Sequence, residues 1–281
     1  MATLRSLDEF PQWRSSIRVV ATDMDGTLTR EGEFSAALLE DLGWLSVSEI
    51  PVIITTGRSA GWVSSLAHYL PVAGMMAENG GAFFPGPRLE TLLPWLGLSS
   101  LEELDPRAKD EWGWFLGDLG AIADHRAKLA AMFKQLQMAY PQLEEAADNR
   151  FRQTDWTFDV RGLSDRQLDS LASRCEAAGF GFTYSNVQCH IQPGGQTKAW
   201  GLSLWLDALK PGCDRREIVT LGDSPNDESM FDPSQFPCSV GVANVAHYRD
   251  RLAHLPAAIT NAEEGYGFCE FVGWLLEGKG T

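Results

Sequence analysis

Three short runs of apolar and β-branched residues, the first broken only by Arg18, punctuate the chain, at residues 17–22, 52–55 and 218–221. Each run ends in polar residues: Asp23-Met24-Asp25-Gly26-Thr27, Thr56-Gly57-Arg58 and Gly222-Asp223. Apolar runs of this length without alternation read as strands buried on both faces. Helical spacing follows the first two, with Leu38, Leu39, Leu42 and Leu45 in residues 35–45, and Val63, Leu66, Ala67 and Leu70 in residues 59–70. Strand, polar turn and helix, repeated, predict a parallel α/β sheet. In such sheets ligands gather beyond the carboxyl ends of the strands, and all three polar turns fall there.

The middle of the chain follows a different rhythm. Residues 120–140 carry a long helical pattern, and residues 156–160 alternate like a half-exposed strand. Ser164 then reads as an N-cap with Gln167 closing a capping box, and Leu163 faces Leu168 as a staple. The helix they open has the stripe Leu168, Leu171, Ala172 and Cys175, and Gly179 ends it. Residues 182–191 read as one further strand. The pattern predicts an inserted α+β domain over residues 85–193, between core segments 1–84 and 194–281. Pro85-Gly86-Pro87 and Pro193-Gly194-Gly195 are the expected hinges.

The strand ends also carry the chemistry. Asp23 and Asp25 stand two apart at a strand end, where one carboxylate can attack phosphorus and the other can move the proton. Taken alone, this spacing equally suits a calcium loop or an ordinary turn. A threonine such as Thr56 commonly caps a helix, and Asp223 and Asp227 suit an N-cap and a first-turn acid. Single-residue explanations of this kind do not account for acidic, hydroxyl and lysine motifs falling in order, three of them at strand ends.

The 281 residues suffice for a large α/β domain or for a core with a smaller partner. A net charge of −15 argues against a nucleic-acid partner. A small phosphorylated ligand is still compatible, because a metal ion and a lysine can reverse the local potential. Five scattered cysteines, never spaced as CxxC, suit reduced thiols, and neither a signal peptide nor a membrane span is expected. A cytoplasmic protein is the expectation.

Asp23-Met24-Asp25-Gly26-Thr27 resembles the first motif of the haloacid dehalogenase superfamily. Thr55-Thr56-Gly57-Arg58 resembles its second motif, Lys198 its third, and Gly222-Asp223-Ser224-Pro225-Asn226-Asp227 its fourth. The resemblance spans essentially the whole chain. It implies a Rossmann-like parallel-sheet core with an inserted α+β cap of type IIB, and a Mg²⁺-dependent phosphatase. By that resemblance Asp23 is the nucleophile, Asp25 the general acid/base, and Lys198 the group that neutralises nucleophile and phosphate. Thr56, Gly57, Arg58 and Asn226 become candidates for binding phosphate or substrate. The implied metal ligands are the Asp23 carboxylate, the Asp25 carbonyl and Asp223, with Asp227 completing the acidic cluster and holding the lysine.

Ala77-Glu78-Asn79-Gly80-Gly81 and Val242-Ala243-Asn244 resemble the sugar-phosphatase branch of that family. The expected substrate is a phosphorylated sugar or glycosyl-phosphoglycerate, as for mannosyl-3-phosphoglycerate phosphatase, with sucrose-phosphate or broad-specificity sugar phosphatases as the alternative. Asn186, Gln188, His190 and Gln192 alternate along one strand, a face suited either to sugar hydroxyls or to solvent. Arg150, Arg152 and Arg161 suit a solvated edge better than a substrate carboxylate. A phosphomannomutase would need a dense cationic cradle in the cap, which the sequence lacks. A non-enzymatic sensor would be expected to lose Asp25 or Lys198, and a dehalogenase needs neither the second aspartate nor Mg²⁺.

Overall fold

Val19, Val20, Ala21 and Thr22 are all fully buried, because this run pairs with a strand on each side and is covered on both faces. The computed structural model describes residues 4–104 and 114–277. Along the chain the strands are β1 (Arg5–Ser6), β2 (Val19–Thr22), β3 (Val52–Thr55), β4 (Gly74–Ala77), β5 (Ala82–Pro85) and β6 (Trp114–Phe115). There follow β7 (Trp156–Asp159), β8 (Phe180–Tyr184), β9 (Gln188–Pro193), β10 (Ile218–Gly222), β11 (Cys238–Gly241) and β12 (Ala258–Ile259). Among the described residues, nine form one sheet in the order β1-β12-β11-β10-β2-β3-β4-β5-β6. It is parallel from β1 to β4 and antiparallel at β5 and β6.

Alternate residues of the central strands feed two apolar layers. Val20, Ile54 and Leu221 pack with Leu38, Leu42, Val63 and Phe268 on one face. Val19, Ile53 and Ile218 pack with Leu92, Trp95, Leu202 and Trp205 on the other. The helices Ala36–Val47 and Ala60–Leu66 open where Ser35 and Ser59 stand as N-caps. The second helix stops at Leu66 instead of running to Leu70, although Leu70 is still buried.

β7, β9 and β8 form a separate antiparallel sheet, in that order. Helices Ile122–Ala139 and Asp165–Ala177 cover one face, where Leu129, Phe133, Leu168, Leu171 and Cys175 meet Phe158, Cys189 and Ile191. Gln167 Oε1 accepts the Ser164 N–H at 3.0 Å, and Gly179 takes φ +82° just beyond the helix. This layer is the cap.

The structure differs from the sequence expectations here in three ways. The single strand expected over residues 182–191 is a hairpin, because Ser185 N donates to Gln188 O at 3.0 Å and Ser185 Oγ accepts from Val187 N at 3.1 Å. The cap also starts later than residue 85. Leu89, Leu92, Trp95 and Leu104 fill the second face of the large sheet, and β6 extends it. Residues 105–113 of the expected cap lie outside the described residues. Pro85-Gly86-Pro87 is pinned rather than hinge-like: Gly86 N donates to Ala73 O at 2.9 Å, and an added Cβ would sit 2.2 Å from Val72 O.

Candidate active site

The carboxyl ends of β2, β3 and β10 converge beneath the cap hairpin. Asp23 continues β2, its N–H donating to Leu221 O at 2.9 Å, so the sheet itself fixes the first carboxylate. The chain then turns at Gly26, with φ +84°. A Cβ there would lie 2.6 Å from Asp223 Oδ2, so glycine is demanded by both backbone and contact. Gly222 is equally confined, since its Cβ would meet the Asp227 carboxylate carbon at 2.4 Å.

Lys198 opens the helix Lys198–Leu209, which Thr197 caps by accepting the Trp200 N–H at 3.1 Å. Its fully buried ammonium donates to Asp23 Oδ1 and, at 2.6 Å, to Asp227 Oδ1. The other Asp227 oxygen accepts the N–H groups of Asp223 and Ser224 at 2.9 and 3.1 Å. Asp227 therefore holds the lysine and the turn with both oxygens. Asp223 Oδ2 accepts from Asn244 Nδ2 at 2.8 Å, and that amide also donates to Gly26 O at 3.0 Å.

Three buried carboxylates, Asp23, Asp223 and Asp227, bring oxygens within 4.8 Å of one another. Burial, then the charges of Asp227 and Asp25, push the Asp23 pKa up to about 7 against the pull of Lys198. Burial and the charges of Asp23 and Asp227 raise Asp223 well above the usual carboxylate range. Burial would lower Lys198, but Asp227 and Asp23 outweigh it and raise it. One ammonium does not neutralise three carboxylates, and the donors are all hard oxygens. That set fits a divalent cation such as Mg²⁺. Asp23 and Asp223 fit it best, because Asp227 is already committed.

Asp25 lies apart from this cluster. Its carboxylate forms a two-pronged pair with Arg58, Nε to Oδ2 at 2.9 Å and Nη2 to Oδ1 at 2.5 Å. As a metal ligand, then, it could offer only its backbone carbonyl. Asp23, Asp25, Gly57, Arg58, Gln188, His190 and Asn226 line one pocket together with Ser185 and Val187 of the hairpin. Thr56 is buried behind it, its hydroxyl accepting the Arg58 N–H at 3.1 Å. Asn226 Nδ2 donates to Asn79 Oδ1 at 3.1 Å.

Asn186 does not join them. It is exposed at the hairpin tip, because the turn breaks the alternation that would have aligned it with Gln188 and His190. Arg152, expected on a solvated edge, is fully buried, whereas Arg150 and Arg161 are exposed. Arg161 pairs with Asp159 at 2.5 Å. The sequence reading missed the roles of Asn244, Arg152, Asp155 and Glu78. Glu78 sits at φ +53° and accepts from Ala60 N at 2.7 Å, Thr154 N at 2.5 Å and Thr154 Oγ1 at 2.8 Å, tying cap to core. The resemblance of Ala77–Gly81 and Val242–Asn244 to family motifs is the signal the sequence offers for Glu78 and Asn244. For Arg152 and Asp155 no local signal existed.

A family model described as haloacid dehalogenase-like hydrolase matches residues 20–88 and 132–261. A protein of Methanothrix thermoacetophila named phosphoglycolate phosphatase is 29% identical over 269 residues, covering 91% of this chain and 96% of that one. A Saccharolobus solfataricus protein named phosphoglycolate phosphatase 1 is 24% identical, covering 94% of this chain and 97% of its own. Among solved structures, a Thermoplasma acidophilum protein superposes with TM-score 0.64 at 20% identity, covering 92% of this chain and 98% of that one. The Synechocystis sucrose-phosphatase, in complex with sucrose and phosphate, superposes with TM-score 0.61 at 14% identity and the same coverage, 92% and 98%. At those identities the two structures share the fold.

Proposed function

Since the chain belongs to the haloacid dehalogenase-like hydrolases, we propose that it is a Mg²⁺-dependent phosphomonoesterase working through an acyl phosphate on Asp23. The observation that carries this reading is the buried Asp23–Lys198–Asp227 chain beside Asp223, with Asp25 lining the same pocket as Asp23. Lys198 orients the Asp23 carboxylate and offsets its charge. An Asp23 oxygen attacks phosphorus, the bond to the leaving oxygen breaks, and Asp25 gives that oxygen its proton. Asp25 then takes a proton from water, whose oxygen attacks phosphorus and releases phosphate and Asp23. Asp23, Asp223 and the Asp25 carbonyl would hold Mg²⁺, which when bound supplies positive charge to the phosphoryl oxygens. Asp25 must part from Arg58 for its role, and an incoming anion competes for that guanidinium.

The substrate we propose is a small hydroxylated phosphate of the sugar type. Gln188, His190 and Gln192 turn their polar side chains away from the cap helices, opposite Cys189 and Ile191, which supports this choice. Asn226 also lines a wider cleft with Asn79, Thr183, Gln192 and Trp200, of ≈ 680 Å³. That cleft gives room for a glycosyl group. A second reading, phosphoglycolate, is favoured by the names of the relatives and by Arg58, a partner for its carboxylate. The test is phosphate release from phosphoglycolate, sugar phosphates and glycosyl-glycerate phosphates, with Mg²⁺, with Ca²⁺ and in excess chelator. Activity is expected with Mg²⁺ only, since Ca²⁺ takes more ligands at longer distances. No release from any ester, or full activity in chelator, rejects the proposal.

A further inference from the structure

Arg152 follows the short helical turn Ala147–Phe151 and is completely buried at the cap–core junction. Its Nη1 donates to the Gly57 carbonyl at 2.8 Å and to both Asp155 oxygens at 3.0 Å. Its Nη2 donates to Asp148 Oδ2 at 2.9 Å and to Gln188 Oε1 at 2.7 Å. Asp155, buried as well, places Oδ2 2.8 Å from His190 Nδ1. The His190 ring lies directly over Gly57: a Cβ built there would stand 2.9 Å from Cε1 and 3.0 Å from Nε2. The contacts thus run from the backbone of the β3 turn through Arg152 and Asp155 to His190, and back to the pocket wall at Gly57.

These contacts decide which ring nitrogen carries the proton. Burial pushes the Asp155 pKa up, but Arg152 and His190 outweigh it and hold the carboxyl below its ordinary value. An ionised carboxylate can only accept, so His190 Nδ1 must be the donor. Burial lowers the pKa of His190 itself, more than Asp155 raises it. The ring is then neutral at about pH 7, and Nε2 keeps its lone pair on the pocket side. A lone pair there attracts a hydroxyl hydrogen and repels a carboxylate oxygen.

We propose that Arg152 and Asp155 are positioning residues that fix His190 as a hydrogen-bond acceptor in the pocket. The enzyme would then select phosphomonoesters whose leaving group carries a hydroxyl. This inference rests on the phosphatase reading and decides between its two substrate classes. Glycerol 3-phosphate and phosphoglycolate serve as the probe pair, one offering a hydroxyl and the other a carboxylate.

Two measurements on the full-length protein test it. Nitrogen-15 NMR of the His190 ring should show Nδ1 protonated and Nε2 bare; the opposite tautomer, or a doubly protonated ring at neutral pH, overturns the proposal. In kinetics, wild type should favour glycerol 3-phosphate over phosphoglycolate in kcat/KM by about tenfold or more. His190→Ala and Asp155→Asn should each lower kcat/KM for glycerol 3-phosphate by roughly tenfold to a hundredfold, and the double variant no further. Losses that multiply in the double variant would make Asp155 a fold support and overturn its positioning role, as would a wild-type preference for phosphoglycolate. Should Asp155→Asn not fold, the tautomer and the wild-type preference still decide. A correct tautomer with no phosphate released from either ester, nor from the sugar phosphates and glycosyl-glycerate phosphates, would instead reject the phosphatase reading.

Discussion

Replacing Asp223 by asparagine removes one of three carboxylates whose oxygens lie within 4.8 Å of one another. At 4.8 Å and an effective dielectric constant of about 20, two like unit charges repel by about 3.5 kcal/mol. Asp223 faces two carboxylates, Asp23 and Asp227, and one ammonium, Lys198, so about one such repulsion is uncompensated. Asparagine keeps an acceptor for Asn244, which now donates at 2.8 Å, and gives up the long 3.4 Å contact from Thr27 Oγ1. That loss is worth about 1 kcal/mol. The metal-free variant should therefore be more stable than wild type by about 2.5 kcal/mol while losing activity. The sign with pH follows from the raised Asp223 pKa. The unfolded chain releases this proton first, so wild-type stability falls as pH rises through the folded pKa. The advantage of asparagine is thus full above the folded pKa and fades as pH drops towards the ordinary carboxylate value of about 3.9. Urea unfolding in chelator at about pH 8 reads the difference. Saturating Mg²⁺, at about 1,000 times its Kd, should add about 4.1 kcal/mol to wild type and far less to the variant, reversing the order. A variant less stable than wild type in chelator, or Mg²⁺ stabilising both equally, would refute the reasoning.

Asp23→Asn should abolish phosphate release with the thermal midpoint preserved or raised, because an amide cannot attack phosphorus; ordinary turnover would sink the nucleophile assignment. Asp25→Asn should lower kcat by at least about 10²-fold, read by steady-state phosphate release. Asn244→Ala unmoors the Asp223 carboxylate, which it now holds at 2.8 Å. Half-activation by Mg²⁺ should then need roughly 10–100 times more metal, and an unchanged requirement would mean Asn244 only braces the Gly26 turn.

Some assignments could be made from local pattern alone. Val52–Thr55 is a strand because four successive apolar or β-branched residues cannot leave either face in water, and all four are buried. Ser164 and Gln167 mark a helix start because their groups satisfy each other across one turn. Asp23 and Asp223 stand at the ends of strands that the apolar pattern places, whereas Lys198 and Asp227 are legible only through the family motifs they resemble. The expected single strand over residues 182–191 failed for a local reason too: one Ser185 hydroxyl and one backbone pair make the turn, with no glycine or proline to announce it.

What the sequence determined by itself was the order of strands and turns that sets Asp23, Asp25, Thr56 and Asp223 at one sheet edge. That much depends on which positions avoid water, and hydrophobic periodicity reports it directly. The tertiary structure decided which charged groups are buried and what they face. Arg152 meets the carbonyl of Gly57, 95 residues away, and His190 meets Asp155, 35 residues away. A lone arginine or histidine in a polar stretch looks solvated, because an isolated charge costs too much to bury. Only the fold supplies the partners that make such burial tolerable, and with them the orientation of the cap over Asp23 and Asp25.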